Sequence, residues 1–313
     1  KGSRIARRDW TRAMNWQRIE FQGYKVDVLS EEPAAGQANG QTVVLLHGFP
    51  DSPLTWRDII KPLANAGYTV KAPHMPGYQN SYLLKHDDYR LESLGREAVV
   101  LCQELSEGSP VHLVGHDWGA AVAYMAVHTR PQAFLSFTAV SIPPIFRMIK
   151  LIPKRPLLFK HTWYQAVFQL RFVADWLMKT NDWWFHRYLW RWWSNGHSFP
   201  ELISRSRERM EEPGVLRATL RYYQQAYRPW DPSWFRLLNS EQPFAVPTLI
   251  VAGDQDAIYG PDAQRYSIVQ EDFPQGVSLE LLPGVGHFVQ AETPERLLIP
   301  LLKHIDQCSQ PAI

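Results

Sequence analysis

The sequence predicts an α/β fold: a mostly parallel sheet flanked by helices, with one helical insertion. Short apolar, β-branched runs alternate with helical stretches before residue 142 and again after residue 243. This alternation is typical of a parallel sheet, because each crossover between parallel strands needs a long connection, usually a helix. Between the two regions the strand-like runs disappear and tryptophan becomes frequent. We therefore predict a core domain of residues 1–142 and 243–313 and a helical cap of residues 143–242.

The composition argues against several classes of protein. The net charge is +2, which gives no large field for binding nucleic acid. The two cysteines, Cys102 and Cys308, cannot make a disulfide framework, and we expect reduced thiols. No apolar run reaches the roughly 18 residues that span a membrane, and no signal peptide is apparent. We expect a cytoplasmic protein, monomeric or homodimeric, with no metal or organic cofactor, since neither a metal-ligand spacing nor a phosphate loop is present.

Local patterns predict the individual elements. Residues 4–15 are basic with scattered apolar positions, which indicates a surface helix or arm, and alternation on both sides of Gly23 predicts a hairpin over residues 16–29. Buried strands are predicted over residues 42–46, 68–72, 111–114, 132–141, 248–252 and 277–282, which with the hairpin makes eight. Helices are predicted over residues 56–66, 91–105, 120–127, 261–270 and 294–305. In such a sheet the site lies at the carboxyl ends of the strands.

One strand-to-helix junction carries a catalytic pattern. The residues Gly115-His116-Asp117-Trp118-Gly119 join an apolar strand to an alanine-rich helix. A nucleophile between two glycines at such a junction is the nucleophile elbow, a turn so tight that only small residues fit on either side. The turn lifts the side chain of Asp117 clear of the sheet and directs the first amides of the helix at it.

An aspartate at the elbow determines the chemistry. A carboxylate is ionised at neutral pH, and a helix N-terminus favours the charged form. It is a poor reagent for cleaving an amide, but it can displace a leaving group from saturated carbon and form an alkyl-enzyme ester. Water must then cleave this ester, so a histidine would activate water rather than Asp117. An ordinary helix N-cap is the alternative role for this residue.

A second loop suits an oxyanion hole. His47-Gly48-Phe49-Pro50 directly follows a predicted strand. Glycine lets the backbone approach a ligand closely, so the amide of Phe49 could supply one donor and the amide of Trp118 the other. We also predict a cis peptide bond between Phe49 and Pro50, because X-Pro bonds tolerate cis at low cost and the loop must turn sharply.

Residues later in the chain could supply an acid and a histidine, which would give the catalytic order nucleophile, acid, histidine along the sequence. His287 lies in a glycine-rich loop after a strand, where a base could reach the elbow. Asp254 and Asp256 both follow a strand end, and either could hold the His287 ring and fix its tautomer. A loop histidine and a turn aspartate without catalytic roles are the alternatives.

On these motifs the chain resembles the epoxide hydrolases of the α/β-hydrolase superfamily, the branch with an aspartate nucleophile. The resemblance extends over essentially the whole chain. It is carried by His47-Gly48-Phe49-Pro50, Gly115-His116-Asp117-Trp118-Gly119, Gly253-Asp254-Gln255-Asp256 and Gly286-His287-Phe288. It implies an α/β-hydrolase fold with a mostly parallel eight-stranded sheet and an inserted helical cap, and its pattern Gly-x-x-Asp favours Asp256 as the acid.

The resemblance also implies roles for residues of the cap. An epoxide oxygen leaves as a strongly basic alkoxide and needs an acid, which in this family is a pair of cap tyrosines with phenol pKa values of about 10. Tyr164 and Tyr223 match those positions, and simple packing is the alternative, above all for Tyr223 beside Tyr222. Residues assigned to substrate binding are His47, Pro50, Gln165, Tyr222 and Phe288. The implied substrate is a small apolar epoxide, and the product is a vicinal diol.

Two other functions stay open. Haloalkane and haloacetate dehalogenases share the nucleophile and the fold, but position 49 is Phe rather than a halide-binding Asn or similar group, and no arginine follows Asp117. A non-catalytic ligand-binding member of the superfamily can keep the same residues. One loop departs from the epoxide hydrolase pattern Arg-Gly-Tyr-Gly-x-Ser, because Gln79 replaces its second glycine.

The first cap segment, residues 146–160, interleaves five basic residues with Ile, Leu and Phe. Together with the tryptophan-rich cap, this predicts a bulky, apolar substrate. The segment suits either peripheral contact with a membrane surface or a solvated basic face over the cap core, and the sequence favours neither.

Overall fold

A single eight-stranded sheet organises the core, with the strand order β1-β2-β4-β3-β5-β6-β7-β8. The computed structural model describes residues 14–151, 153–226 and 243–309. The arm predicted over residues 4–15 lies almost entirely outside them. The strands are β1 (Trp16–Phe21), β2 (Tyr24–Glu31), β3 (Thr42–Leu46), β4 (Thr69–Pro73), β5 (Val111–His116), β6 (Phe134–Val140), β7 (Thr248–Gly253) and β8 (Val277–Leu282).

Strand directions follow the prediction. The hairpin β1–β2 and the pair β2–β4 are antiparallel, and the remaining neighbours are parallel. The six residues of β5 are all buried, because helices cover both faces of the sheet. The predicted mostly parallel, eight-stranded α/β fold is confirmed.

Helices account for the crossovers and for the insertion. Those of the core are α1 (Arg57–Asn65), α2 (Leu91–Leu105), α3 (Trp118–Thr129), α9 (Pro261–Ser267), α10 (Val289–Glu292) and α11 (Pro294–Ser309). Those of the insertion are α4 (Ile145–Leu151), α5 (Trp163–Gln169), α6 (Arg171–Trp193, kinked by non-helical backbone at residues 180–183), α7 (Pro200–Met210) and α8 (Val215–Ala226). The described part of residues 145–226 contains no strand, as expected of a helical cap. Its predicted end, residues 227–242, lies outside the described residues.

The cap is joined to the core by specific hydrogen bonds. The side chain of Gln225 accepts from the amide of Tyr89 at 2.8 Å and donates to the carbonyl of Asp87 at 2.7 Å. The indole of Trp190 donates to the carbonyl of Pro50 at 3.3 Å. These bonds hold the cap over the carboxyl ends of the strands.

The loop that departs from the epoxide hydrolase pattern does not need its second glycine. Gln79 has extended backbone, with φ of −145°, a conformation open to any residue. Its side-chain amide donates to the carbonyl of Lys25 at 2.9 Å and accepts from the amide of Asp27 at 3.0 Å. The glutamine thus ties the loop to β2.

The remaining predictions concern thiols and membrane spans. Cys102 is a buried free thiol and Cys308 a half-buried one, as expected. Within the described residues, no helix is both long enough and apolar enough to cross a bilayer.

Candidate active site

The elbow has the tight geometry that its glycines predict. Asp117 sits between β5 and α3 with φ of +50°, in the left-handed region that side chains rarely adopt. A Cβ atom on Gly119 would overlap the carbonyl oxygen of Leu46, and one on Gly48 would overlap the side chain of Asp117. Only glycine fits at these two positions, so β3, its following loop and the elbow can pack against one another.

The two oxygens of the Asp117 carboxylate have different environments. Oδ1 accepts a hydrogen bond from the amide of Phe49 at 2.8 Å. Oδ2 lies 3.4 Å from Nε2 of His287, an ion-pair distance without the geometry of a good hydrogen bond. Burial alone would raise the pKa of Asp117, but the neighbouring His287 and the Phe49 amide lower it, so the carboxylate is ionised. Oδ1 is therefore held by the loop after β3, and Oδ2 is free to react.

His287 is held by one of its two candidate carboxylates. Its Nδ1 lies 2.8 Å from Oδ2 of Asp256, and Oδ1 of Asp256 accepts from the amides of Ile258 and Tyr259 at 2.7 and 3.2 Å. Asp254 instead accepts from the amide of Gly284 at 2.7 Å. The structure therefore brings Asp256, and not Asp254, to the histidine ring.

Charge coupling alters the proton affinity of His287. Burial alone would lower the pKa of this imidazole, but the carboxylates of Asp256 and Asp117 on its two sides outweigh burial and raise it. The free protein therefore favours an Asp117 carboxylate beside a protonated His287. Removal of the charge on Asp117 would lower the pKa of His287 again.

Residues that motif reasoning missed fix the backbone around His287. The carboxylate of Glu292 accepts from the amides of Gly286 and Phe288, at 2.6 and 3.0 Å, on either side of the histidine. The amide of His287 donates to the carbonyl of Trp193 at 2.8 Å. Its carbonyl accepts from Ser141 Oγ at 2.6 Å and lies 3.0 Å from His116 Nε2. Of these partners, only His116 stands inside a motif.

A second missed group is the carboxyl of Asp51, just after the oxyanion loop. It is buried, and one of its oxygens accepts from the amide of Ser52 at 2.7 Å. Burial raises the pKa of Asp51 to about 7, and the charge of Asp117 adds to this rise. This carboxyl titrates in the range where activity would be measured.

A narrow cavity lies above Asp117 between cap and core. Its volume is about 40 Å³, and most of the side chains that line it are apolar. The lining residues are Leu91, Asp117, Trp118, Ala121, Ile142, Ile145, Met148, Tyr164, Gln165, Tyr223, Ala226 and Tyr259. The cavity suits an apolar ligand.

Both predicted tyrosines face this cavity from different cap helices. Tyr164 on α5 and Tyr223 on α8 are buried, with ring centroids 6.0 Å apart. The Tyr223 hydroxyl makes no hydrogen bond of good geometry, and burial raises the pKa of Tyr223 well above its usual value, which keeps the phenol protonated. Nε2 of Gln165 lies 3.4 Å from the Tyr164 hydroxyl and 3.5 Å from that of Tyr259. Tyr259 is a further polar residue of the wall that sequence reasoning missed.

Four residues assigned to substrate binding lie behind the cavity wall instead. The hydroxyl of Tyr222 donates to the carbonyl of Pro76 at 2.6 Å, which holds the loop after β4. Phe288 stacks on Trp190 with ring centroids 4.0 Å apart. In this structure both side chains are used in packing and neither lines the cavity, so contact of Tyr222 or Phe288 with a substrate stays a prediction.

The other two belong to the oxyanion loop. His47 is buried, and its Nε2 accepts from the amide of Met75 at 3.1 Å. The peptide bond before Pro50 is cis, as predicted. Neither residue lines the cavity; both shape the loop that presents the amide of Phe49, and their contact with a substrate stays a prediction.

These features agree with the similarity of the chain to known proteins. The model of the alpha/beta hydrolase fold family matches residues 41–294. The chain belongs to this family. It is 33% identical over 192 residues to the AB hydrolase superfamily protein YfhM of Bacillus subtilis, a match covering 61% of this chain and 67% of that protein. It is 33% identical over 139 residues to Epoxide hydrolase B of Mycobacterium tuberculosis, covering 44% of this chain and only 38% of that protein.

The solved structures extend the likeness of fold to nearly the whole chain. Epoxide Hydrolase A from Mycobacterium thermoresistibile matches with a TM-score of 0.74 at 21% sequence identity, covering 94% of this chain and 98% of that one. The alpha/beta hydrolase fold therefore includes the helical insertion. Within the described residues, no cluster of three or more His, Cys, Asp or Glu side chains could hold a metal ion.

Proposed function

We propose that this alpha/beta hydrolase is an epoxide hydrolase that converts an apolar epoxide to a vicinal diol. The observation that carries the proposal is the cavity in which Tyr164 and Tyr223 share a wall with Asp117. A carboxylate nucleophile with two phenol donors suits a leaving group that must be protonated. The names of the mycobacterial relatives support the same reaction.

The first step forms an ester. Oδ2 of Asp117 attacks an epoxide carbon and the C–O bond of the ring breaks, while Oδ1 stays bonded to the Phe49 amide. Tyr164 and Tyr223 donate hydrogen bonds to the ring oxygen and supply its proton. The product of this step is an alkyl-enzyme ester that carries the new hydroxyl group.

The second step cleaves that ester. Esterification removes the negative charge of Asp117, so the pKa of His287 falls and the ring releases its proton, which replaces the one that the tyrosines supplied. The neutral ring, held through Nδ1 by Asp256, then takes a proton from water. The water attacks the carboxyl carbon of Asp117 and the oxyanion forms on Oδ1 beside the amides of Phe49 and Trp118. The bond from the carboxyl carbon to Oδ2 then breaks, and the diol leaves with the oxygen that was Oδ2 and with the proton that His287 took from water.

A panel of substrates tests this proposal against dehalogenation. Purified protein is incubated with small apolar epoxides, polar epoxides, haloalkanes and haloacetate, and diol and halide are measured in parallel. We expect diol from the apolar epoxides and no halide from the others. Halide without diol would establish a dehalogenase, and no product from any compound would favour a non-catalytic ligand-binding protein.

Changing either tyrosine should slow ester formation. Tyr164→Phe or Tyr223→Phe should reduce the single-turnover alkylation rate by about 10- to 1000-fold, since one preorganised donor contributes roughly 2–4 kcal/mol in the transition state. The double variant should nearly abolish alkylation. Ester hydrolysis, which depends on His287 instead, should change much less.

A matched control lies next to Tyr223. Tyr222→Phe changes the same residue type on the same helix, but this hydroxyl bonds to the Pro76 carbonyl outside the cavity. We expect Tyr222→Phe to alkylate within a few-fold of the parent. If Tyr164→Phe and Tyr223→Phe both form the ester at the parent rate, these two tyrosines have a packing role only.

The two steps should respond differently to pH. Alkylation needs ionised Asp117, whose pKa is lowered, so its rate should vary little around neutral pH. Hydrolysis needs neutral His287, so its rate should rise with pH through the pKa of this histidine in the alkyl-enzyme, which lies below that in the free enzyme. Single-turnover kinetics from about pH 5 to about pH 9 measures both rates. Asp51→Asn separates any contribution from that carboxyl, and a hydrolysis rate that falls as pH rises would contradict the assignment of His287.

A further inference from the structure

The cap carries most of the large apolar side chains that the structure leaves exposed. Eleven such residues occur among the described residues, and eight of them fall between positions 157 and 188. They are Leu157, Trp163, Leu170, Phe172, Val173, Trp176, Trp184 and Tyr188. Phe172 is 90% exposed and Trp176 is 64% exposed. Single exposed apolar residues are ordinary, but this concentration in one part of the chain indicates an interaction surface.

Four aromatic rings of the cap form a continuous strip. This aromatic strip consists of Trp163, Trp192, Tyr188 and Trp184, whose consecutive ring centroids lie 6.0, 5.8 and 5.4 Å apart. Three of its members are spaced by four residues along α6 and share one side of that helix. The neighbouring row, Phe185, Leu189 and Trp193, is buried in the cap. The helix therefore has two apolar rows, one buried in the cap core and one in which Trp184 and Tyr188 are exposed and Trp192 is half-buried.

Positive charge is concentrated in the first part of the cap sequence. The sequence from residue 141 to residue 174 contains no Asp or Glu, although the whole chain has a net charge of only +2. Its basic residues are Lys150, Lys154, Arg155, Lys160, Arg171 and Arg147, the last of which pairs with Asp272 of the core. Lys150, Lys154 and Lys160 are exposed, and none of them pairs with a carboxylate among the described residues. A partner for this surface must accept both aromatic rings and uncompensated positive charge.

We propose that this face of the cap docks on the surface of an anionic lipid bilayer. Tryptophan and tyrosine favour the boundary between headgroups and acyl chains, and exposed lysines are attracted to anionic headgroups. A second copy of the chain would present the same positive charge and would be repelled. The docking is independent of the reaction, so it can be tested without turnover.

The position of the cap gives such docking a consequence for substrate access. Helix α4 directs Ile145 and Met148 into the cavity, while Lys150 on the same helix is exposed. An apolar compound dissolved in the bilayer would therefore meet the protein beside a wall of the cavity.

Vesicle sedimentation tests the proposal directly. The full chain is mixed with vesicles of phosphatidylcholine alone or of phosphatidylcholine with phosphatidylglycerol. We expect binding to the anionic vesicles, weaker binding to the neutral ones, and loss of the difference as salt is raised from about 0.05 M to about 0.5 M. The variant Lys150→Gln/Lys154→Gln/Lys160→Gln should bind the anionic vesicles roughly 100-fold more weakly. Trp184→Ser/Tyr188→Ser should lower binding to both vesicles by about ten-fold or more.

Matched variants on the core domain serve as controls. Lys61→Gln/Lys85→Gln/Lys303→Gln removes the same charge from exposed positions, and Val100→Ser/Ile299→Ser removes exposed apolar side chains. Both should bind like the parent. If Trp184→Ser/Tyr188→Ser does not fold, the lysine variant still decides the outcome, because it changes only exposed side chains. The proposal is overturned if the parent protein does not bind anionic vesicles, or if the core variants lose as much binding as the cap variants. It is also overturned if gel filtration shows a dimer that dissociates in the variant Trp184→Ser/Tyr188→Ser.

Discussion

Asp117→Ala should abolish diol formation, with kcat/KM falling by about 10⁵-fold or more, because removal of a nucleophile eliminates the covalent route entirely. Oδ2 of Asp117 is the oxygen left free to react, since Oδ1 is bonded to the amide of Phe49 at 2.8 Å. No ester should be detectable by mass spectrometry after incubation with an epoxide. Asp58→Ala is a suitable control, because Asp58 is an exposed aspartate on α1, far along the chain from the elbow.

An ester found on protein that carries Asp117→Ala would assign the nucleophile to another residue. Undiminished diol formation without an ester would point to direct attack of water on the epoxide.

His287→Gln should separate the two steps of the reaction. Alkylation needs only Asp117 and the cavity tyrosines, so the ester should still form. Hydrolysis loses its general base and should slow by about 10³-fold, within the range of 10²–10⁴ typical of such a base. The protein should therefore accumulate a mass increase equal to that of the epoxide, located on the peptide that contains Asp117.

The control is His86→Gln, which changes an exposed histidine of the core. It should turn over like the parent and accumulate no ester. If His287→Gln neither accumulates ester nor slows the reaction, His287 is not the base for hydrolysis. If it prevents ester formation instead, the ion pair with Asp117 is needed in the first step.

Most of the fold could be predicted from the sequence because buried helices and strands place apolar residues at regular intervals. The residues of α2, Leu91–Leu105, and of β8, Val277–Leu282, were predicted with their observed bounds. Less periodic ends were less accurate: β6 begins at Phe134 rather than at residue 132, because residues 131–133 form a short 3-10 helix. The sequence could not show which conformation the loop adopts with Gln79 in place of glycine; in the structure the side chain of Gln79 ties this loop to β2 by hydrogen bonds.

Residues of the candidate site could be predicted from the sequence only where they belong to a short motif. Asp117, Asp256 and His287 could be named because each stands in a recognisable turn after a strand. Glu292 and Tyr259 could not, because their contributions arise from tertiary contacts that no spacing encodes. A motif also identifies a residue without giving the direction of its side chain, so the sequence could not show that His47, Pro50, Tyr222 and Phe288 lie outside the lining of the cavity.

The cap shows a further limit of sequence reasoning. Its tryptophans led to the prediction of a bulky apolar substrate, which stays a prediction, but Trp176 and Trp184 are exposed and do not line the cavity. Aromatic composition alone cannot distinguish a side chain that lines a cavity from one that faces solvent. The exposed rings are the basis of the proposed membrane surface instead.

A single turnover in water labelled with heavy oxygen tests the covalent mechanism most directly. The protein is held in molar excess over an epoxide that it converts, and both the diol and the peptide containing Asp117 are analysed by mass spectrometry. If water attacks the carboxyl carbon of an Asp117 ester, one labelled oxygen enters Asp117 and the diol carries none. Label found in the diol after this single turnover, with none in Asp117, would show that water attacks the epoxide itself and would contradict the covalent mechanism.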